Sequence, residues 1–122
     1  MNDNVDVWIR EVVPARGTTT YIESNGEYLL RFPYGEKSVR IVAGNIGYMT
    51  TTSRIEANFY HISNGLLAAG PLTCELTLAP TEEGLCEFDF TSIGNFRMNV
   101  SVNPIDGNND ILPSDNWLEQ LI

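Results

Sequence analysis

Apolar residues recur at every second position along most of this chain. The clearest run places Phe96, Met98, Val100 and Val102 on one face, with polar residues between them. Successive side chains of a strand point to opposite faces of its sheet, so this period predicts strands with one buried and one solvated face. The alternation therefore restricts most of the chain to an all-β architecture.

Turn signals separate the alternating segments. Asn25 and Gly26 predict a type I′ hairpin between strands at 18–24 and 27–32, and residues 44–47 predict a second hairpin. Three alternating segments at 72–78, 86–90 and 96–102 are interpreted as an antiparallel meander. The spacing predicts an immunoglobulin-like antiparallel β-sandwich of about eight short strands.

Only the end of the chain has helical spacing. Trp117, Leu118, Leu121 and Ile122 follow the N-cap candidates at 114–116, which predicts a short amphipathic helical segment. We divide the chain into a β-sandwich domain at 1–104 and a polar loop with a helical tail at 105–122. A helix this short must dock on something, so its four apolar residues are interface candidates.

The composition excludes several partners. The 122 residues carry 16 acidic and 7 basic side chains, a net charge of −9, which argues against nucleic acid and anionic membranes. The sequence has neither a long apolar run nor the start of a signal peptide. We therefore expect either a soluble, cytoplasmic chain that is not exported or a domain cut from a larger protein.

The two cysteines raise a question of register. If Cys74 and Cys86 lie on adjacent strands joined by a turn at 79–85, their sulfurs are roughly 13 Å apart, beyond disulfide reach. This register favours two reduced thiols. A tighter turn at 79–81 would place them opposite each other and leaves a disulfide open, and metal ligation is a third alternative.

Acidic residues cluster in the same predicted register. Glu75 lies across from Asp89, and Glu87 is beside them, so the pair could hold a cation, serve as a hydrolase dyad or meet a basic partner. We take Glu75 and Asp89 as interface candidates. A solvated acidic face is the simpler interpretation.

Catalytic signals are weak. His61 is the single histidine, and no nucleophile elbow, zinc pair, P-loop or dinucleotide fingerprint occurs. We predict no enzyme, no catalytic residue and no cofactor. Asp106, Asn108 and Asp110 resemble the opening of a calcium loop, but the glycine and glutamate that should follow are absent, so they are weak metal candidates.

Four aromatic residues lie at predicted strand ends or at the polar positions of the alternating pattern, namely Trp8, Tyr34, Tyr48 and Tyr60. If two or more were coplanar and exposed on one surface, they could stack on sugar rings. A carbohydrate-binding module, with or without calcium, is therefore the alternative function. Burial of these rings by a second layer explains them equally well.

The segment LLAAGPLTCELTL at 66–78 resembles the small N-terminal β-sandwich modules of tail and baseplate proteins from phages of gut bacteria. The resemblance spans residues 54–102 and transfers no functional residue. It implies a non-enzymatic structural role in a virion, with assembly through sheet edges and ends. We therefore expect a structural or adaptor module that assembles with other protein chains, as a homo-oligomer or in a multi-component complex, through sheet edges and the C-terminal tail.

Overall fold

The computed structural model describes residues 5–15, 19–24, 26–32, 37–90, 95–106 and 117–122. These contain no helix, which confirms the all-β prediction. The strands are β1 (Val7–Pro14), β2 (Tyr21–Ser24), β3 (Glu27–Leu30), β4 (Lys37–Asn45), β5 (Thr51–His61), β6 (Leu67–Leu78), β7 (Glu83–Phe90), β8 (Phe96–Pro104) and β9 (Trp117–Leu121).

The strands form two sheets that pack face to face, as predicted for a sandwich. One sheet has three strands in the order β1-β4-β7, and the other has six in the order β2-β3-β9-β8-β5-β6. With the β2–β3 hairpin set aside, β1, β4 and β7 correspond to strands A, B and E of an immunoglobulin domain. Strands β5, β8 and β9 correspond to C, F and G, and β6 extends their sheet.

The core lies between the sheets and follows the predicted alternation. Phe59 of β5 stacks on Phe90 of β7 with ring centroids 4.2 Å apart, and Phe96 of β8 meets Phe90 edge to face at 4.7 Å. These rings come from both sheets, so they join the two layers at one end of the core. Each buried phenylalanine contributes roughly 1.5–3 kcal/mol relative to an exposed one.

Local features of the first strands agree with the sequence. Ser24 pairs with Glu27 across the predicted hairpin turn, and Gly26 has a φ of 80°, which a type I′ turn requires. In β1 a bulge between Ile9 and Glu11 shifts the register. As a result, the next core-facing residue after Ile9 is Val12 and not residue 11.

The predicted second hairpin at 44–47 is wrong. Strand β4 belongs to the three-stranded sheet and β5 to the six-stranded sheet, so residues 46–50 cross from one layer to the other. Because the alternation of β4 and β5 is the same for a hairpin and for a crossover, the pattern could not distinguish them.

The predicted meander is also wrong. Among the strands that the structure describes, β7 pairs only with β4, whereas β6 pairs with β5, and β8 lies between β5 and β9. Cys74 and Cys86 thus lie in different sheets and form a disulfide with Cα atoms 6.3 Å apart. The preference for reduced thiols failed because the strands face each other across the core instead of lying side by side.

The predicted C-terminal helix is wrong for the residues that the structure describes. Strand β9 runs antiparallel to β8 and parallel to β3. The backbone N–H and carbonyl of Ile122 pair with those of Phe96, both at 2.9 Å. The proposed N-cap at 114–116 lies outside the described residues.

Candidate functional site

One end of the sandwich displays a group of apolar side chains that we call the tip surface. It comprises Ile46, Tyr48 and Met49 of the β4–β5 crossover, together with Ile105 after β8. Tyr48 is the most exposed of them, at 82%. The N–H of Ile105 donates to the carbonyl of Thr52 at 2.9 Å, which places Ile105 at the same end.

Asn45, at the end of β4, holds the start of the crossover, and its side chain is fully buried. Its Nδ2 donates to the carbonyls of Met49 at 2.7 Å and Leu78 at 3.1 Å. Its Oδ1 accepts from the N–H of Gly47 at 2.9 Å and, more weakly, from that of Asp6 at 3.4 Å. One amide thus holds the loop, the end of β6 and the chain before β1 in one arrangement.

Asp106 supports the same end. Its Oδ2 accepts from the N–H of Thr52 at 2.8 Å, and its Oδ1 accepts from the hydroxyl of Thr51 at 3.1 Å. Both carboxylate oxygens therefore bind the start of β5, whereas the other metal candidates, Asn108 and Asp110, lie outside the described residues. The described part of the chain contains no group of three or more His, Cys, Asp or Glu residues that could hold a metal ion.

A second feature is a notch of about 260 Å³ where β3 meets β9. The two strands share a single register pair, Leu29 with Leu121, and the Gln120 side chain donates to the carbonyl of Tyr28 at 2.8 Å. Such a short ladder leaves space at the seam. The notch is lined by Glu27, Tyr28, Arg97, Glu119, Gln120 and Leu121.

Arg97 links the two sides of this notch. Its guanidinium forms ion pairs with Glu119 of β9 and with Glu27 of β3, the latter at 3.5 Å. The hydrogen bond to Glu119 raises the pKa of Arg97 above its ordinary value, and burial opposes this in part. The two glutamates neutralise the charge of the Arg97 guanidinium, so these ion pairs join β3, β8 and β9 within the sheet.

A third feature is the uncovered face of the β2–β3 hairpin. Tyr21 and Tyr28 lie on the face that continues the core side of the sheet, and their rings meet edge to face at 6.5 Å. They are nevertheless 47% and 60% exposed. Together with Glu23, which pairs with Tyr28 in the register, they form what we call the tyrosine shelf.

The predicted acidic cluster is not formed. Glu75 lies opposite Arg54 and forms an ion pair with it at 3.1 Å. Asp89 lies in the other sheet, opposite Ser38, whose hydroxyl donates to it at 2.8 Å.

The remaining member of the predicted cluster, Glu87, pairs with Arg40 at 2.9 Å. The register that opposed Glu75 and Asp89 depended on the incorrect meander. None of these three carboxylates lines the notch, and Glu75 lies in a different sheet from Asp89, so the predicted Glu75–Asp89 pair is not formed.

The aromatic candidates do not share a surface. Trp8 is half-buried on the outer face of β1, where a Cβ at Gly44 would come within 2.9 Å of its Nε1. Tyr60 is half-buried on the outer face of β5, and Tyr48 lies at the tip surface. Tyr34 lies outside the described residues. Among the described aromatic candidates, no pair forms the coplanar platform that sugar stacking needs.

The apolar tail residues are distributed over the sheet. Trp117 is 61% exposed, Leu118 packs against the core, Leu121 is half-buried and Ile122 is buried. His61 is exposed at the far end of β5, with its ring 5.3 Å from that of Phe96.

The sequence interpretation missed most of the tip surface and the whole tyrosine shelf. The sequence places Ile46 in the turn of a predicted hairpin, but the structure exposes its side chain on the crossover instead. In a hairpin that turns at Asn25 and Gly26, Tyr21 and Tyr28 lie on the same face of the sheet, and this register is the signal that identifies them.

Comparisons with known proteins concern the fold. No family model matches the chain, and no curated protein matches it. A crystal structure of the CARDB domain of the PF1109 protein from Pyrococcus furiosus, in complex with di-metal ions, is 14% identical with a TM-score of 0.63. That match covers 100% of this chain and 94% of that one.

A solution NMR structure of the same CARDB domain is 16% identical with a TM-score of 0.59, and it covers 100% of this chain and 95% of that one. At these identities the likeness is one of fold alone. It supports the two-sheet sandwich. No helix long and apolar enough to cross a membrane occurs in the described segments.

Proposed function

We propose that this chain is a non-enzymatic structural or adaptor module that binds another protein through the tip surface. The observation that carries the proposal is Tyr48, which is exposed on a crossover loop whose base is fixed by the buried Asn45. A large aromatic ring on a rigid loop is an efficient anchor for a protein interface.

The loop geometry supports this proposal energetically. Binding costs free energy when loops must be ordered, and hydrogen bonds from Asn45 to Gly47 and Met49 already order this one. Ile46 and Ile105 add apolar area beside the tyrosine. In the immunoglobulin correspondence, this end carries the B–C loop and the start of the F–G loop, and these two loops bind antigen in antibody variable domains.

The setting that we propose is a multi-chain assembly, and the resemblance to phage tail and baseplate modules suggests a virion component. In this proposal the C-terminal segment contributes to assembly as part of the sheet. Strand β9 lies inside the six-stranded sheet, so its contribution to a surface comes from Trp117 and not from a separable helix.

The test is the native mass of the complex that contains the chain in its own host, measured by native mass spectrometry. We expect a mass well above that of the chain alone, and we expect Tyr48→Ser to release the chain from the complex. The matched control is Leu66→Ser, which removes a side chain of 63% exposure at the opposite end. A monomeric wild-type chain, or a Tyr48→Ser variant that remains in the complex, contradicts the proposal.

A further inference from the structure

The two sheets differ in width, and this leaves a step on one side of the sandwich. Strand β1 ends the three-stranded sheet and packs against β8 and β9. The six-stranded sheet continues beyond it through β3 and β2. The tyrosine shelf is the floor of this step, and no described strand of the other sheet covers it.

The wall of the step is the free edge of β1. The N–H of Ala15 donates to the carbonyl of Ser38, and among the described strands β1 pairs with β4 alone. Hydrogen bonding alternates along an antiparallel pair, so Val12, three residues before Ala15, directs its N–H and carbonyl away from β4. The edge therefore presents backbone groups next to an exposed aromatic floor.

We propose that an extended segment of a partner protein adds to this edge and lies over the tyrosine shelf. Neighbouring strands lie about 4.8 Å apart and packed sheets about 10 Å apart, so a strand placed beside β1 would stack above the β2–β3 hairpin. Main-chain bonds to β1 would supply affinity. Contacts of alternate side chains with Tyr21 and Tyr28 would supply specificity.

The shelf also indicates the chemistry of that segment. The exposed carboxylate of Glu23 lies opposite Tyr28 in the register and on the same face as Tyr21. A segment that faces it with one lysine or arginine between apolar residues complements the shelf. The net charge of −9 disfavours a second copy of this chain as the occupant.

The edge itself limits how much of the partner can pair. The bulge after Ile9 and the proline at Pro14 lie on both sides of Val12 and limit the hydrogen bonds that an added strand could form with β1. Bulges and prolines are common on edge strands, where they prevent uncontrolled association. A partner strand would therefore form only a few main-chain bonds. Its affinity would depend on the tyrosines, which makes the shelf the position to test.

The probe is a capped seven-residue peptide, TVTKTVT, whose even positions carry valine, lysine and valine. We expect saturable binding to the intact chain by fluorescence anisotropy and a shift of the Val12 amide resonance by NMR. Tyr28→Ser should weaken binding about tenfold, as loss of a central anchor does. The peptide TVTETVT, with glutamate in place of lysine, should bind more weakly because it faces Glu23.

Tyr48→Ser is the matched control, because it removes an exposed tyrosine outside the step. It should leave peptide binding unchanged, so failure of the tip surface as a binding site does not affect this test. Absence of saturable binding at millimolar peptide, or binding that Tyr28→Ser leaves intact, overturns the proposal. Self-association of the chain that Tyr28→Ser abolishes overturns the choice of occupant.

Discussion

Cys74 and Cys86 are joined across the two sheets of the sandwich, from β6 of one layer to β7 of the other. Both strands are sheet edges on the same side of the molecule. The disulfide therefore closes that side covalently. The opposite side, where β1 ends the smaller sheet, remains a step with exposed tyrosines. The disulfide thus stabilises one side of the fold, whereas the opposite side carries the binding surface that we propose.

The disulfide should stabilise the fold substantially. The two cysteines are 12 residues apart, and closing a loop of this size restricts the unfolded chain by about 3 kcal/mol. We expect the double variant Cys74→Ser/Cys86→Ser to lose about that much in urea unfolding. Reductant should lower the stability of the wild type to the same level and leave the variant unchanged. Equal stability of oxidised wild type and variant would count against the bridge.

Asn45 should be critical for the crossover. Asn45→Ala removes the bonds to Met49, Leu78 and Gly47 inside the protein, and we expect a loss of about 3 kcal/mol in unfolding free energy. Asn103→Ala, at an exposed position of β8, is the control and should change stability by less than about 0.5 kcal/mol. Similar small effects of both variants in thermal unfolding would refute the role of Asn45.

Strand β9 should be required for folding. Deletion of residues 117–122 exposes the edge of β8 and removes the buried Ile122, so we expect loss of cooperative unfolding and of the β signal in circular dichroism. Trp117→Ala should fold normally, because that side chain is largely exposed. A deletion variant that unfolds cooperatively would restore the separable helical tail that the sequence suggested.

Gly70 should tolerate no side chain. Its φ is 118°, and a Cβ there would lie 2.8 Å from the carbonyl oxygen of Ala57. We expect Gly70→Ala to cost about 3 kcal/mol in chemical denaturation, from backbone strain and overpacking together. Gly65→Ala is the control, because its φ is 71° but nothing lies within 4 Å of the added atom, and it should cost about 1 kcal/mol. Equal costs would show that the close approach is unimportant.

For β5 to β8 the sequence specified which side of the strand faces the core, but not which strands are neighbours. Phe88 and Phe96 lie on inward faces as their alternation predicts, although their strands belong to different sheets. The alternation of buried and exposed residues is the same whether two strands are neighbours in one sheet or face each other across the core. The error in pairing then passed to every register built on it, including the assumed opposition of Glu75 and Asp89.

The prediction of a C-terminal helix was wrong for a different reason. Trp117, Leu118, Leu121 and Ile122 fit helical spacing, yet Leu118 and Ile122 also share the parity of a strand. In a segment this short, local preference is weak, and pairing with β8 and β3 decides the conformation. Apart from Tyr48, the sequence does not predict the tip surface, because this surface depends on a crossover that only the three-dimensional arrangement of the sheets defines.

The most direct measurement for the proposed function is the accessibility of Tyr48 in the native complex, by hydroxyl-radical footprinting read out by mass spectrometry. We predict that Tyr48 is oxidised readily in the isolated chain and protected in the complex, whereas Leu66 at the opposite end is oxidised equally in both. Equal oxidation of Tyr48 in the isolated chain and in the complex would contradict binding through the tip surface.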